Sequence, residues 1–319
     1  MKTGALAAIA TAVPVAWYTA AQAQTSKPRN AGFYRFKLGQ FNLATISDGV
    51  LAAPAAAFAG DVTPEQLQAV LRQGFQSETL TPDCNILFVD TGTHKVLIDS
   101  GNGNLGGDTA GKLLENLALA KISPTDIDTL VITHAHPDHV GGLTDPAGML
   151  LFPNARYYVP SVEWQFWMDS KVSLPKVRMP EEAKQTVIAV AKKQLTAIQD
   201  RVTQFKVNQE IIPGMTALSA PGHTPGHVAL RIVSGEASLV HTADVVHTHT
   251  INLWNPDWQP IFDADPEQAA ATRQSLLEKI AIDRTLMFAY HFPFPGVGHI
   301  TPREAGGFDW EPVSWQFEG

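Results

Sequence analysis

The chain has 319 residues, 45% of them hydrophobic and 17% charged, the make-up of a globular protein with a sizeable core. Its 23 basic and 31 acidic residues leave a formal net charge of -8, so it lacks the basic face that a nucleic-acid binder needs. A single cysteine, Cys84, excludes an internal disulfide framework and a thiolate-rich zinc site, while the 11 histidines call for an explanation.

In chain order, Lys2 precedes a mostly apolar run over residues 5–20, and Ala21-Gln22-Ala23 puts small residues where a signal peptidase reads. The run is short for a membrane span and is interrupted by Pro14. Residues 1–23 are therefore expected to be a signal peptide, and residues 24–319 one exported domain, periplasmic or secreted. No later stretch is apolar and long enough to span a bilayer, so no membrane partner is expected after cleavage. Residues 33–46 alternate like a hairpin around Leu38-Gly39, and Ser47-Asp48-Gly49 reads as a turn. Thr63-Pro64-Glu65 opens a helix with a capping hydroxyl and an early proline. Residues 85–89 and 95–98 read as strands joined by Asp90-Thr91-Gly92-Thr93, and Leu113, Leu114 and Leu117 mark a helix over 109–120. Strands follow at 127–133 and 157–160, a helix at 180–202, and strands at 216–220, 228–233 and 238–242. Asp265-Pro266-Glu267 starts a last helix reaching about residue 280, and 285–290 is the last strand. The elements alternate, but the hairpins make the sheets mixed. The expected class is α/β, with sheets packed together and helices outside.

The strongest signal is Thr133-His134-Ala135-His136-Pro137-Asp138-His139, directly after the apolar Leu130-Val131-Ile132. His134 and His136 share a side on extended backbone, and Pro137 helps to fix the turn that presents Asp138 and His139. Imidazole nitrogen and carboxylate oxygen suit Zn²⁺, and manganese, cobalt or iron less selectively. Four ligands in six residues exceed one tetrahedral site with an open position, so two metals are expected to share the stretch. Further candidates stand at strand ends: His223 after Ala220, Asp244 after residues 238–242, and His291 after residues 285–290. A carboxylate at 244 could bridge two cations.

This His-x-His-x-Asp-His stretch, with Asp99 upstream in Leu97-Ile98-Asp99-Ser100-Gly101 and His223, Asp244 and His291 downstream, resembles the metallo-β-lactamase fold superfamily. The resemblance covers almost the whole mature chain. It implies an αββα sandwich of two mixed sheets with helices on both outer faces. It implies one metal on His134, His136 and His223, a second on Asp138, His139 and His291, Asp244 between them, and Asp99 behind the ligands. Gly222-His223-Thr224-Pro225-Gly226-His227 and Phe294-Pro295-Gly296-Val297-Gly298-His299-Ile300 narrow the likeness to methyl parathion hydrolase and its relatives. That group contains organophosphate triesterases and acyl-homoserine lactonases, and it suggests a homodimer. There are two departures. An aromatic residue of the phosphotriesterase pocket aligns with Gly106, although Trp167 matches another, and a carbonyl-holding tyrosine of some lactonases aligns with His247.

Paired cations lower the pKa of water from about 15.7 toward 7 and polarise a carbonyl or phosphoryl oxygen, so no serine or cysteine nucleophile is required. Asp138 or Asp244 can pass a proton to the leaving group, and His247 is a candidate for holding the substrate oxygen. Trp167, Trp254 and Phe292 stand beside ligands and are expected to wall a pocket for an acyl chain or an aryl group. The expected partner is a small lactone or ester, opened with two divalent ions, zinc first. Alternatives of the same fold are a β-lactamase and a thioesterase. The glutathione thioesterase carries a basic C-terminal region, whereas Arg303 is the one Lys or Arg after His291 here. A non-catalytic zinc-binding protein would show His-rich or acidic tracts, and none is seen.

Overall fold

The computed structural model describes residues 30–317, so the expected signal peptide at residues 1–23 lies outside the described residues. Strand Phe33–Leu38 turns at Gly39 and pairs antiparallel with Phe41–Val50. Gly39 takes φ +57°, and a Cβ there would stand 2.1 Å from the carbonyl oxygen of Ser234, so the turn requires glycine. This pair begins a seven-stranded sheet that continues through Asp83–Asp90, Lys95–Ile98, Thr129–Val131, Arg156–Pro160 and Val202–Phe205. Its first three pairings are antiparallel and its last three parallel, with Lys95–Ile98 the strand where the sense changes. A second seven-stranded sheet runs Glu210–Ile212, Met215–Ser219, Val228–Ser234, Ala237–His241, Leu286–Phe288, Val297–Pro302 and Phe308–Pro312. Its parallel pair is Ala237–His241 on Leu286–Phe288.

Period-two alternation sorts the side chains into layers. Along Asp83–Asp90, Leu87 and Val89 join Leu230, Ile232 and Phe288 of the second sheet in the core between the sheets. Ile86 and Phe88 point the other way. There they join Leu117 of helix Leu113–Leu119 and Ile188 and Leu195 of helix Glu181–Ile198. Val240 and Met287 face outward from the second sheet onto Leu277 and Ile280 of helix Pro266–Asp283. The layers are helix, sheet, sheet, helix, which is the expected αββα sandwich.

Some local expectations change. Ser47-Asp48-Gly49 is not a turn; it lies within Phe41–Val50, where pairing with Asp83–Asp90 slips between Ser47 and Val50. The buried Asp48 carboxylate then accepts from the backbone N–H groups of Asn102 and Leu113. An Asp-Gly pair serves a bulge as well as a turn. The helix expected over 180–202 ends at Ile198, and Val202–Phe205 becomes a strand. Val297–Pro302 and Phe308–Pro312 have no forewarning, because glycine and proline interrupt their patterns.

Lys95–Ile98, Thr129–Val131, Ala237–His241 and Leu286–Phe288 are each followed within a few residues by a candidate ligand or its support. Backbone bonds from Val228 to Thr133 (3.2 Å) and from Asn85 to Tyr290 (2.9 Å) tie the two sheets together at that end. Among the described residues no helix is long and apolar enough to cross a membrane.

Candidate metal centre

Thr129–Val131 is buried throughout, and the chain leaves it through Ile132 and Thr133 into His134-Ala135-His136. Pro137 then starts a single helical turn, Pro137–Val140, that carries Asp138 and His139. Asp99, one residue past Lys95–Ile98, fixes this corner. Its carboxylate accepts from the Thr133 N–H and Oγ1–H, both at 2.8 Å, and stands 2.8 Å from His139 Nδ1.

The structure brings all seven ligand candidates together. Ligand atoms of His134, His136 and His223 lie within 4.8 Å of one another, as do those of Asp138, His139, Asp244 and His291. Asp244 faces both groups: Oδ1 is 3.1 Å from His139 Nε2, while Oδ2 is 3.3 Å from His223 Nε2 and 3.4 Å from His291 Nε2. Three of the outer nitrogens meet an oxygen that anchors the ring. His139 Nδ1 meets Asp99, His223 Nδ1 meets Asp263, and His291 Nδ1 meets the Asp83 carbonyl, each at 2.8 Å. The inner nitrogens of His134, His139 and His223, and Oδ1 of Asp244, are buried without a hydrogen-bond partner. Leaving such atoms unpaired is costly, and an imidazole anchored at one nitrogen and free at the other is prepared to ligate a metal. The donor set fits two divalent cations sharing Asp244.

The electrostatics agree. Burial drives His134 and His136 well below the ordinary imidazole value, and neighbouring imidazoles add to the push. At His139 burial is outweighed by Asp244, Asp138 and Asp99, which carry it up to about 10. At His223 burial is outweighed by Asp244 and Asp263, which carry it up to about 9. Without cations, the cluster thus gathers protons to balance its carboxylates, and bound metal would supply that charge instead.

Three buried groups behind the ligands have no place in the sequence reading. Asp263 meets His223 on one oxygen and the Arg273 guanidinium, at 3.3 Å, on the other. Arg273, 1% exposed, also donates to the carbonyls of Val245, Pro256 and Trp258. Glu163 accepts from Ala135, Trp167, Thr224 and Gly226. Its one sequence signal is an acid directly before the aromatic run Trp164-Gln165-Phe166-Trp167. His227 donates Nδ1–H to Ala220 O at 2.9 Å and accepts the Asp244 N–H on Nε2 at 3.1 Å. It therefore holds the backbone of the bridging carboxylate.

A cavity of about 310 Å³ opens over the cluster. His136, Asp138, His223, Asp244, His247 and His291 line it together with Leu51, Phe58, Leu105, Leu174, Val177, Met179, Val187 and Phe262. Among the described residues lining it, none is Lys or Arg. His247 Nε2 stands 3.3 Å from Asp244 Oδ2, and neither ring nitrogen has a hydrogen-bond partner. Burial pushes this imidazole down to about 4. Cys84 is no nucleophile: its sulfur accepts from Asn102, and burial pushes the thiol up to about 12.

A model of the metallo-beta-lactamase superfamily matches residues 81–291. The chain belongs to that superfamily. It is a metal-dependent hydrolase with a dinuclear metal site. Among solved structures it is similar to AidC, a dizinc quorum-quenching lactonase in complex with the product N-hexanoyl-L-homoserine. The two are 31% identical with a TM-score of 0.84, over 89% of this chain and 98% of AidC. An N-acyl homoserine lactonase of Bacillus thuringiensis is 23% identical over 219 residues, 64% of this chain and 76% of the lactonase. A probable metallo-hydrolase of Mycobacterium bovis is 24% identical over 189 residues, 51% of this chain; the match spans little more than half, 57%, of that relative.

In this member of the metallo-beta-lactamase superfamily the three expected pocket aromatics lie elsewhere. Trp167 is fully buried behind His136, ring centroids 5.9 Å apart, with its indole N–H turned to Glu163. Phe292 packs with Val246, Leu253 and Trp310 on the outer side of the second sheet, since successive side chains leaving a strand diverge. Trp254 packs against the Arg303 guanidinium, 4.3 Å from its ring. Gly106 cannot carry a pocket side chain, because a Cβ there would stand 2.6 Å from the Ala110 carbonyl carbon. Leu105 beside it lines the cavity instead.

Proposed function

We propose that this enzyme opens neutral lactones bearing an apolar acyl chain, of the acyl-homoserine lactone kind, with two zinc ions. The cavity carries the reading: ligand side chains beneath Leu, Val, Met and Phe walls, with no Lys or Arg to meet a substrate carboxylate. A β-lactam or a glutathione thioester brings such a carboxylate, so those substrates fit less well. AidC, which holds N-hexanoyl-L-homoserine, supports the same substrate class.

Two divalent cations bound here would supply an activated water near neutral pH and Lewis-acid polarisation of the carbonyl. The remaining steps use this chain's own groups. Asp99, Asp263 and the Asp83 carbonyl keep the rings of His139, His223 and His291 aimed. Asp138 lines the cavity with Oδ2 3.3 Å from His291 Nε2. It takes a proton from the attacking water and passes it to the ring oxygen as that carbon–oxygen bond breaks, giving a hydroxy acid. His247, kept neutral by burial, offers the substrate oxygen an N–H between the rings of Phe58 and Phe262.

A phosphotriester is also neutral, and we place it second, because the loop at Leu105-Gly106 brings no aromatic ring to grip an aryl group. Export rests on the pattern at residues 1–23, and material recovered from outside the cytoplasm is expected to begin at Gln24. The pure protein should open N-hexanoyl-homoserine lactone, lose that activity on chelation and regain it with zinc. Turnover of nitrocefin without lactone turnover would overturn the reading, and turnover of paraoxon alone would reverse the ranking.

A further inference from the structure

Glu163 is 0% exposed, and every hydrogen-bond partner described for it is a donor. Oε1 accepts the Ala135 N–H at 2.9 Å and the Trp167 Nε1–H at 2.5 Å. Oε2 accepts the Thr224 Oγ1–H at 2.7 Å and the Gly226 N–H at 3.0 Å. Ala135 lies between His134 and His136, and Thr224 follows His223. One carboxylate therefore joins the two loops that carry three ligands of a single group. The approach is close: a Cβ on Gly226 would stand 2.1 Å from Glu163 N and 2.5 Å from its Cα. Trp167, held by the same carboxylate, packs edge-on to His136. None of the described partners is a cation, so the buried negative charge is balanced by N–H and O–H dipoles and by whatever charge the three histidines hold. The other group has anchors of its own, Asp99 on His139 and the Asp83 carbonyl on His291; Asp99 also accepts from Thr133, whose hydroxyl lies 3.1 Å from His134 Nδ1.

We propose that Glu163 is a positioning residue that sets the His134–His136–His223 half of the metal centre. The inference rests on the dinuclear site and is independent of the substrate. Glutamine at 163 would have the same shape but would turn an NH₂ toward groups that also donate, so the two loops would lose their common acceptor.

Glu163→Gln and Asp99→Asn are to be compared with the wild-type holoenzyme. Zinc content after dialysis and chelator-competition affinities would be measured, with cobalt absorption bands identifying the site affected. Glu163→Gln should weaken one of the two ions by ~10–100-fold and leave the other unchanged, while Asp99→Asn, which also loosens Thr133 beside His134, should weaken chiefly the other ion. Both ions held at wild-type affinity in Glu163→Gln, both lost together, or the same cobalt band weakened most in both variants would overturn the proposal. Thr224→Val removes one hydroxyl donor and decides by the same readings if Glu163→Gln does not fold. Because affinity and cobalt bands are read, failure of the lactone assay would leave this result standing.

Discussion

Oδ1 of Asp244 lies 3.1 Å from Nε2 of His139, in the group that Asp138 and His291 complete. Its other oxygen lies 3.3 Å from Nε2 of His223, in the second group. Asp244→Asn keeps the shape and removes the charge that spans both halves. Both ions should then bind more weakly, by more than the ~10–100-fold seen when a supporting group is lost, and turnover should fall with them. Zinc content after gel filtration and the rate at excess zinc measure this. If the Asp244→Asn variant still held two ions tightly, this carboxylate would not be a bridge.

The seven ligand candidates were legible because each follows a recognisable apolar strand, and His134 and His136 sit two apart on extended chain. The layer order was legible from hairpins alternating with helices and from the family resemblance. The supports were not legible in the same way. Asp263 and Arg273 come from a loop and a helix face far from the motif, and only folding puts them behind His223. The pocket wall was misread because neighbours in sequence are not neighbours in direction. Phe292 adjoins His291 yet packs on the other side of the sheet, while Leu174, Val177 and Val187 reach the cavity without any ligand nearby in sequence.

His247 has two unpartnered ring nitrogens in a cavity whose other titratable groups are all ligand candidates. If it donates to the substrate oxygen, His247→Ala should keep two zinc ions per chain and lower kcat by about 10²-fold, with KM little changed. Steady-state kinetics beside metal analysis separates this from a ligand role, in which one ion would be lost as well.

The walls of the cavity predict a dependence on chain length. Each methylene moved from water onto apolar surface contributes about 0.8 kcal/mol, or roughly fourfold in kcat/KM. A series of straight-chain acyl lactones should climb by about that factor per methylene until the cavity is filled. Leu174→Trp should move the plateau to shorter chains without changing the metal content. A flat series would mean that the acyl chain stays in solvent.

Metal uptake should depend on pH in a defined direction. Burial lowers His139 and His223, but the carboxylates around them win and raise them to about 10 and about 9. Cations must displace those protons, and the cost grows as pH falls. His291 is raised well above the ordinary value too, burial again being outweighed by Asp244 and Asp138. Apparent affinity should therefore rise with pH up to at least about 10, with roughly three protons released per chain near pH 7. Calorimetry in buffers of different ionisation enthalpy counts them. At His139 and His223 the same raised values stabilise the metal-free fold fully below the ordinary 6.5, and that contribution is lost as pH rises through about 9 to 10.

Arg273 is the buried cation behind His223, giving hydrogen bonds to Asp263 and to three backbone carbonyls. Arg273→Met fills much of the volume but leaves those carbonyls unpaired and strips Asp263 of one of its two partners. Breaking a buried pair from one side should destabilise the protein by about 3–5 kcal/mol in chemical denaturation. Asp263→Asn together with Arg273→Met should cost less than the sum of the two single changes, because the double variant leaves no buried charge unpaired. Strict additivity would mean that the two residues stabilise the fold independently. The support of His223 would then come from Asp263 alone.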